Sequence, residues 1–314
     1  MGLSHAKCLS TARLDAKTVI VTGSNTGIGK CTVQDLYKRG ARVIMACRNV
    51  EKANESANDI KSNCEGQDNL GEIGVVQLDL CSLESVRECA SKLLESERRI
   101  DILINNAGVM MCPQSKTADG FETQFGTNHL GHFLFTLLLL PRIIESPSAR
   151  IVNLSSRAHT SGNINFDDLN YEKRKYSALQ AYSDSKLANV LFTKELARRL
   201  QEANIENVKV YSLHPGVINT ELGRHLDNTY FKGVHWTFSV LFGKFLKTPE
   251  QGAQTSIHCA VDENAGNETG LYYSDCKVKK PVNKAERVED AQKLWEMSVN
   301  FVGLDQNYDP FSTK

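Results

Sequence analysis

Tyr182 and Lys186 stand four residues apart in Ala181-Tyr182-Ser183-Asp184-Ser185-Lys186-Leu187-Ala188-Asn189, a spacing that puts both side chains on one helix face. An ammonium beside a phenol favours the phenolate. Free tyrosine titrates at about 10, whereas a general acid–base works best with a pKa near the operating pH. The lysine is therefore expected to draw the tyrosine down, making the pair a proton donor and acceptor.

The same spacing recurs at Tyr171 with Lys175 and at Tyr273 with Lys277, so context must separate the three. Tyr171 lies in the charged run Asn170-Tyr171-Glu172-Lys173-Arg174-Lys175, read as a solvated loop, and Tyr273 ends a short apolar run before a polar stretch. Only Tyr182 opens a long helical pattern, continued by Leu187, Val190, Leu191, Leu196 and Leu200.

A second centre of chemistry is Thr22-Gly23-Ser24-Asn25-Thr26-Gly27-Ile28-Gly29-Lys30, between a β-branched run and a helical one. Glycines placed there allow a tight turn and close approach of a pyrophosphate to backbone N–H groups and a helix N-terminus. That assigns Gly23, Ser24, Asn25, Gly27, Ile28 and Gly29 to a dinucleotide cofactor. The spacing is not Gly-x-Gly-x-x-Gly, and the Gly-Lys-Ser/Thr ending of a P-loop is missing. The second strand ends Met45-Ala46-Cys47-Arg48-Asn49, without the carboxylate that NAD-binding folds place on the ribose. Arg48, beside Asn49, instead suits a 2′-phosphate through charge-assisted hydrogen bonds, which points to NADP(H); the plainer alternative is a solvated arginine at a strand end.

These residues need a frame. Short β-branched runs at Thr18–Thr22, Arg42–Ala46, Gly74–Leu78, Asp101–Asn105, Arg150–Leu154 and Val208–Leu213 read as strands. Helical patterns at Ile28–Arg39, Val50–Ser62, Leu83–Ser96, Asp119–Ser146, Ala181–Ala203 and Pro249–Val261 fill the intervals and follow the last run. Repeated strand–helix alternation predicts an α/β fold with a doubly wound parallel sheet covered on both faces, its ligands at the carboxyl ends of the strands. The 314 residues contain no Pro/Gly/Ser-rich linker or repeat, so one domain over 1–314 is expected.

Composition excludes several classes. The 37 basic and 37 acidic residues cancel, giving no call for nucleic acid. Nine scattered cysteines, without a Cys-x-x-Cys pair, suit reduced thiols, and neither a disulfide nor a metal site is expected. His129 and His132, three apart without thiolate or carboxylate company, read as packing or hydrogen-bonded histidines, and His214 as structural. The first 18 residues read as neither signal peptide nor membrane span, Ala6 stands where myristoylation wants Ser or Thr, and the apolar run Phe133–Ile144 is too short for a bilayer. A cytoplasmic protein is expected, with peripheral contact to endoplasmic reticulum or other lipid surfaces and homo-oligomer formation left open.

With Asn105-Asn106-Ala107-Gly108 after the fourth strand, these motifs resemble the short-chain dehydrogenase/reductase family over residues 16–304. The resemblance implies a Rossmann-like fold and a catalytic tetrad of Asn128, Ser156, Tyr182 and Lys186. Tyr182 would exchange the proton, and Lys186 would bind the nicotinamide ribose. Ser156, rather than Ser155, would polarise the substrate oxygen. Asn128 would hold a water linking Lys186 to solvent, its plainer reading being a helix cap or bridge. Asp79 and Leu80 would flank the adenine, Asn106, Ala107 and Gly108 the central cleft, and Pro215, Gly216, Ile218 and Thr220 the nicotinamide end.

The resemblance places a substrate lobe at residues 220–248, where Tyr230, Phe231, Trp236, Phe238 and Phe242 suggest the wall of an apolar pocket. Trp236 is the lobe's candidate substrate contact, and Lys232, Lys244 and Lys247 are candidates for a membrane surface. Further stretches, among them Lys247-Thr248-Pro249-Glu250-Gln251-Gly252 and Tyr273-Ser274-Asp275-Cys276, are similar to NADPH-preferring retinol dehydrogenases of the microsomal and photoreceptor type. That similarity implies interconversion of retinal and retinol. Farnesol or another isoprenoid, a steroid or a xenobiotic carbonyl are alternative substrates, and an NADP(H)-binding sensor or scaffold is the non-enzymatic alternative.

Overall fold

The computed structural model describes residues 6–218, 246–305 and 308–312. Its centre is an eight-stranded sheet: β1 (Thr18–Thr22), β2 (Arg42–Cys47), β3 (Glu72–Gln77), β4 (Ile102–Asn105), β5 (Ala149–Leu154), β6 (Val208–His214), β7 (Leu271–Ser274) and β8 (Lys277–Lys279). They lie in the order β3-β2-β1-β4-β5-β6-β7-β8, all parallel except β8, which runs antiparallel to β7. The chain winds outward in both directions from β1, so the order reverses between β1 and β4. That reversal opens a crevice at the carboxyl ends of the strands.

Strand alternation divides the core. Val19 and Val21 face one layer, with Val33 and Leu36 of α1 (Gly27–Lys38), Ala53 and Ile60 of α2 (Val50–Ser62), and Ile257 of α7 (Pro249–Val261). Ile20 faces the other, with Val86 of α3 (Leu83–Ser96), Phe133 of α5 (Gly131–Ile144), Leu191 of α6 (Ala178–Glu202), and Trp295 of α8 (Val288–Phe301). Each such side chain contributes roughly 1.5–3 kcal/mol by leaving water. Burial on both faces explains why β1 and β2 read as nearly unbroken apolar runs.

The expected helix over 119–146 is broken in an instructive way. Gly120 turns the chain at φ +86°, and the Glu122 carboxylate caps a single turn, α4 (Thr123–Phe125), by accepting from the Gln124 and Phe125 N–H groups at 3.0 and 2.7 Å. A π turn over Gly126–Leu130 follows before α5 begins. Such wide turns gather at functional sites, and this one carries Asn128. Among the described residues, no helix is long and apolar enough to cross a membrane.

Candidate active site

The turn after β1 depends on two glycines. Gly23 has φ +58°, and a Cβ there would fall 2.7 Å from the Ala107 side chain; at Gly29 it would fall 2.7 Å from the Ser24 Cα. Glycine thus lets α1 and the loop after β4 close on the turn. Ser24 is fully buried: its hydroxyl donates to the Val21 carbonyl at 3.0 Å and its N–H to the Cys47 sulfur at 3.3 Å. It shapes the turn from inside.

Asn25, Gly27 and Ile28 remain half-buried at the mouth. The Thr26 N-cap of α1 makes no side-chain capping bond, and no acidic residue stands in the first turn. By contrast, Asn49, Ser82, Ser177 and Thr248 cap α2, α3, α6 and α7. Open N–H groups at a helix start fit a phosphate. Arg48 is exposed at the end of β2 and pairs with no carboxylate among the described residues, whereas the Asn49 side-chain oxygen Oδ1 already accepts the Lys52 N–H at 2.7 Å.

The other wall is fixed by hydrogen bonds. The Asn106 amide donates to the Thr22 and Gly23 carbonyls at 2.8 and 3.1 Å, and the Ala107 N–H donates to the Thr22 hydroxyl at 2.9 Å. Asp79 folds back to accept the Cys81 N–H at 2.9 Å, and Leu80 is buried against Gly131. A Cβ on Gly108 would stand 3.1 Å from Asn128 Oδ1 and 3.4 Å from Lys186 Nζ. One small space therefore joins the central cleft to the tetrad.

Within that space Tyr182 and Lys186 are each 4% exposed, with the lysine nitrogen 5.7 Å from the centre of the tyrosine ring. Lys186 Nζ donates to the Leu154 carbonyl at 3.1 Å. Burial pushes the phenol up to about 12, opposed by its hydrogen bond to Ser156, and it pushes the ammonium down to about 8. The expected downward shift of Tyr182 is absent from the protein alone, because desolvation outweighs the Ser156 hydrogen bond.

The two serines differ in their surroundings. Ser155 is buried and its hydroxyl donates to the Lys186 carbonyl at 2.7 Å, while Ser156 is half-buried and faces Tyr182. Ser156→Ala is expected to lower kcat by about 10²-fold, the scale for losing one positioned donor. Ser155→Ala should instead cost about 1 kcal/mol of stability and leave turnover within a few-fold. Parallel melts and steady-state kinetics check this, and a reversed pattern would reverse the assignment.

Asn128 is fully buried. Its amide oxygen accepts the Val109 N–H at 2.8 Å, and its nitrogen donates to the Val109 carbonyl at 3.0 Å and to the Ser185 hydroxyl at 2.9 Å. The side chain is thus a bridge between the loop after β4 and α6. Val109 acts here through its backbone, for which no side-chain pattern exists in the sequence.

Tyr171 is a correction: it is 4% exposed rather than solvated, and its hydroxyl donates to Asp184 Oδ2 at 3.0 Å. Tyr273, 2% exposed on β7, donates to Glu268. Burial raises both phenols, and each is turned to a carboxylate, so neither joins Lys175 or Lys277 in a proton site. His129 bonds the Ser298 hydroxyl at 2.9 Å, and His214 Nδ1 accepts the Arg157 and Gly216 N–H groups, both at 3.2 Å. Lys247 is engaged within the protein. Its side chain, 11% exposed, crosses Gly216 (φ +109°) to pair with Asp275. Ile218 bridges Lys247 beside Pro215; Thr220, Trp236, Lys232 and Lys244 lie outside the described residues.

The family model for short chain dehydrogenase matches residues 17–230. The chain belongs to the short-chain dehydrogenase family. This short-chain dehydrogenase is 50% identical to Retinol dehydrogenase 13 of Homo sapiens over 300 residues, 95% of this chain and 88% of that one. It is 48% identical to Retinol dehydrogenase 12 of Mus musculus, over 95% and 90% of the two chains. Among solved structures it resembles an uncharacterized protein from Mycobacterium paratuberculosis, with TM-score 0.75, 33% identity and coverage of 96% and 98%. The Pseudomonas aeruginosa RhlG/NADP active-site complex aligns with TM-score 0.64 and 26% identity, covering 83% of this chain and 94% of that one.

Proposed function

We propose that this oxidoreductase interconverts retinal and retinol with NADP(H), Tyr182 being the proton donor and acceptor. The observation that carries the reading is the convergence of Tyr182, Ser156, Lys186 and the Asn128–Gly108 wall beside the uncapped start of α1. Relatives named retinol dehydrogenases support the substrate. The residues fit the cofactor: the first turn of α1 would receive the pyrophosphate and Arg48 the 2′-phosphate. When bound, NADPH supplies the hydride.

The chain's own residues supply the remainder. The Ser156 hydroxyl orients the carbonyl oxygen, and the Tyr182 hydroxyl gives its proton to that oxygen as negative charge develops there. Lys186 then faces the phenolate, where its charge stabilises the anion. In oxidation the same atoms run backwards, and Tyr182 takes the alcohol proton. Aldehyde, hydride and proton sum to the alcohol.

Arg48→Ala tests the cofactor reading. Losing charged hydrogen bonds costs about 1.5–3 kcal/mol, so the NADPH-over-NADH preference in kcat/KM should fall roughly ten- to hundredfold. An unchanged preference places the phosphate contact elsewhere. A panel of retinal, farnesal, ketosteroids and small quinones with NADPH tests the substrate, and retinal turning over more slowly than the others would reject it.

A further inference from the structure

His132 occupies a position that the tetrad does not explain. It is 2% exposed, one helical turn beyond Asn128, and both ring nitrogens are bonded: Nδ1 lies 3.1 Å from the Asn128 carbonyl and Nε2 lies 2.9 Å from the Thr22 hydroxyl. The partners dictate where the hydrogens sit. A carbonyl only accepts, so Nδ1 carries the proton and donates to Asn128. The Thr22 oxygen already accepts the Ala107 N–H, and the neutral Nε2 takes the threonine hydrogen.

The chain therefore has one direction: Ala107 N–H to the Thr22 hydroxyl, Thr22 hydroxyl to His132 Nε2, and His132 Nδ1–H to the Asn128 carbonyl. Every member is buried or half-buried. It links the cofactor turn, the loop after β4 and the π turn without passing through α6. Burial, with the nearby Lys186 charge, holds the imidazole neutral by pushing it down to about 4. A second ring proton would leave the Thr22 hydrogen without its acceptor inside the protein.

We propose that His132 is a positioning residue: as the Nδ1–H tautomer it orients the Asn128 carbonyl and couples it to the cofactor turn through Thr22. This rests on the tetrad reading above. The Asn128 side chain is spent on Val109 and Ser185, so the orientation of its peptide unit is what remains to be set. A displacement of about 1 Å at such a group can cost about 10²-fold in rate.

Two variants divide the ring's functions. His132→Asn keeps an N–H where Nδ1 stood and loses the Thr22 arm; His132→Gln keeps an acceptor where Nε2 stood and loses the Asn128 arm. With the full chain, retinal and NADPH, His132→Gln is expected to lower kcat by about 10–10²-fold, with little change in KM for retinal. His132→Asn should recover most of that loss. Thr22→Val approaches the same chain from its other end and should also lower kcat. Equal loss in both histidine variants, or loss in neither, would overturn the proposal.

The tautomer gives a readout independent of turnover. Nitrogen-15 NMR of the imidazoles should show His132 protonated at Nδ1 and bare at Nε2 from about pH 6 to 8; the opposite tautomer would overturn the proposal even with activity intact. If retinal is inert but another carbonyl turns over, the substrate reading fails, and the variant ratios are measured on that carbonyl.

Discussion

Tyr182→Phe is expected to lower retinal reduction by about 10²–10⁴-fold, the range supplied by a positioned general acid, while NADPH affinity changes little. The substitution keeps the buried ring and removes only the hydroxyl that meets Ser156. Cofactor fluorescence titration beside single-turnover kinetics separates the two effects. Full activity would displace Tyr182 from the mechanism. With the phenol pushed up to about 12, it holds its proton throughout the neutral range. Reduction should then be level across that range, and oxidation, which needs the phenolate, should rise with pH.

Lys186→Met is expected to inactivate the enzyme and to stabilise the fold. Burial pushes the ammonium from its ordinary 10.5 down to about 8, so the charged form is disfavoured inside. Below about 8 the lysine is charged in both folded and unfolded states, and the whole cost is present. Between about 8 and 10.5 the unfolded chain alone holds the proton, so wild-type stability rises with pH through that window. The cost is on the order of 3 kcal/mol. Methionine removes it, and the Leu154 carbonyl that loses Lys186 still accepts the Asn189 amide at 3.0 Å. Melts at pH 7 should show the variant higher, with the gap closing above pH 8; a less stable variant at pH 7 would refute the argument. An ammonium buried at such a cost is one way a site trades stability for function.

The strands that carry the site were legible because buried parallel strands are apolar throughout, and α2, α3 and α7 begin behind strong start signals: Asn49, Ser82 and the Thr248/Gln251 capping box. The expected strand at Gly74–Leu78 lies two residues early, at Glu72–Gln77, because its register is set by β2. Strands β7 and β8 were missed. They are four and three residues long, and Asp275 and Cys276 turn the hairpin at φ +54° without glycine. Helix α8 was missed because Arg287 gives no side-chain cap. Local sequence context set Tyr182 and Lys186 apart from two identical spacings. It could not show that Tyr171 turns inward, since the run around it is charged and its hydrogen-bond partner, Asp184, lies thirteen residues away. Nor could it show His132 meeting Thr22, a contact made only when the sheet and α5 come together.

The late hairpin also decides how the sheet ends. Among the described residues, strand β8 leaves one row of peptide groups unpaired by any further strand, the usual template for adding a strand from another molecule. Here the row is three residues long, and Lys277 and Lys279, both exposed, bracket the half-exposed Val278. A second copy approaching edge to edge would bring ammonium groups together before gaining more than a few hydrogen bonds. Among the described residues, growth of the sheet past β8 is thus opposed by two lysines and a short strand.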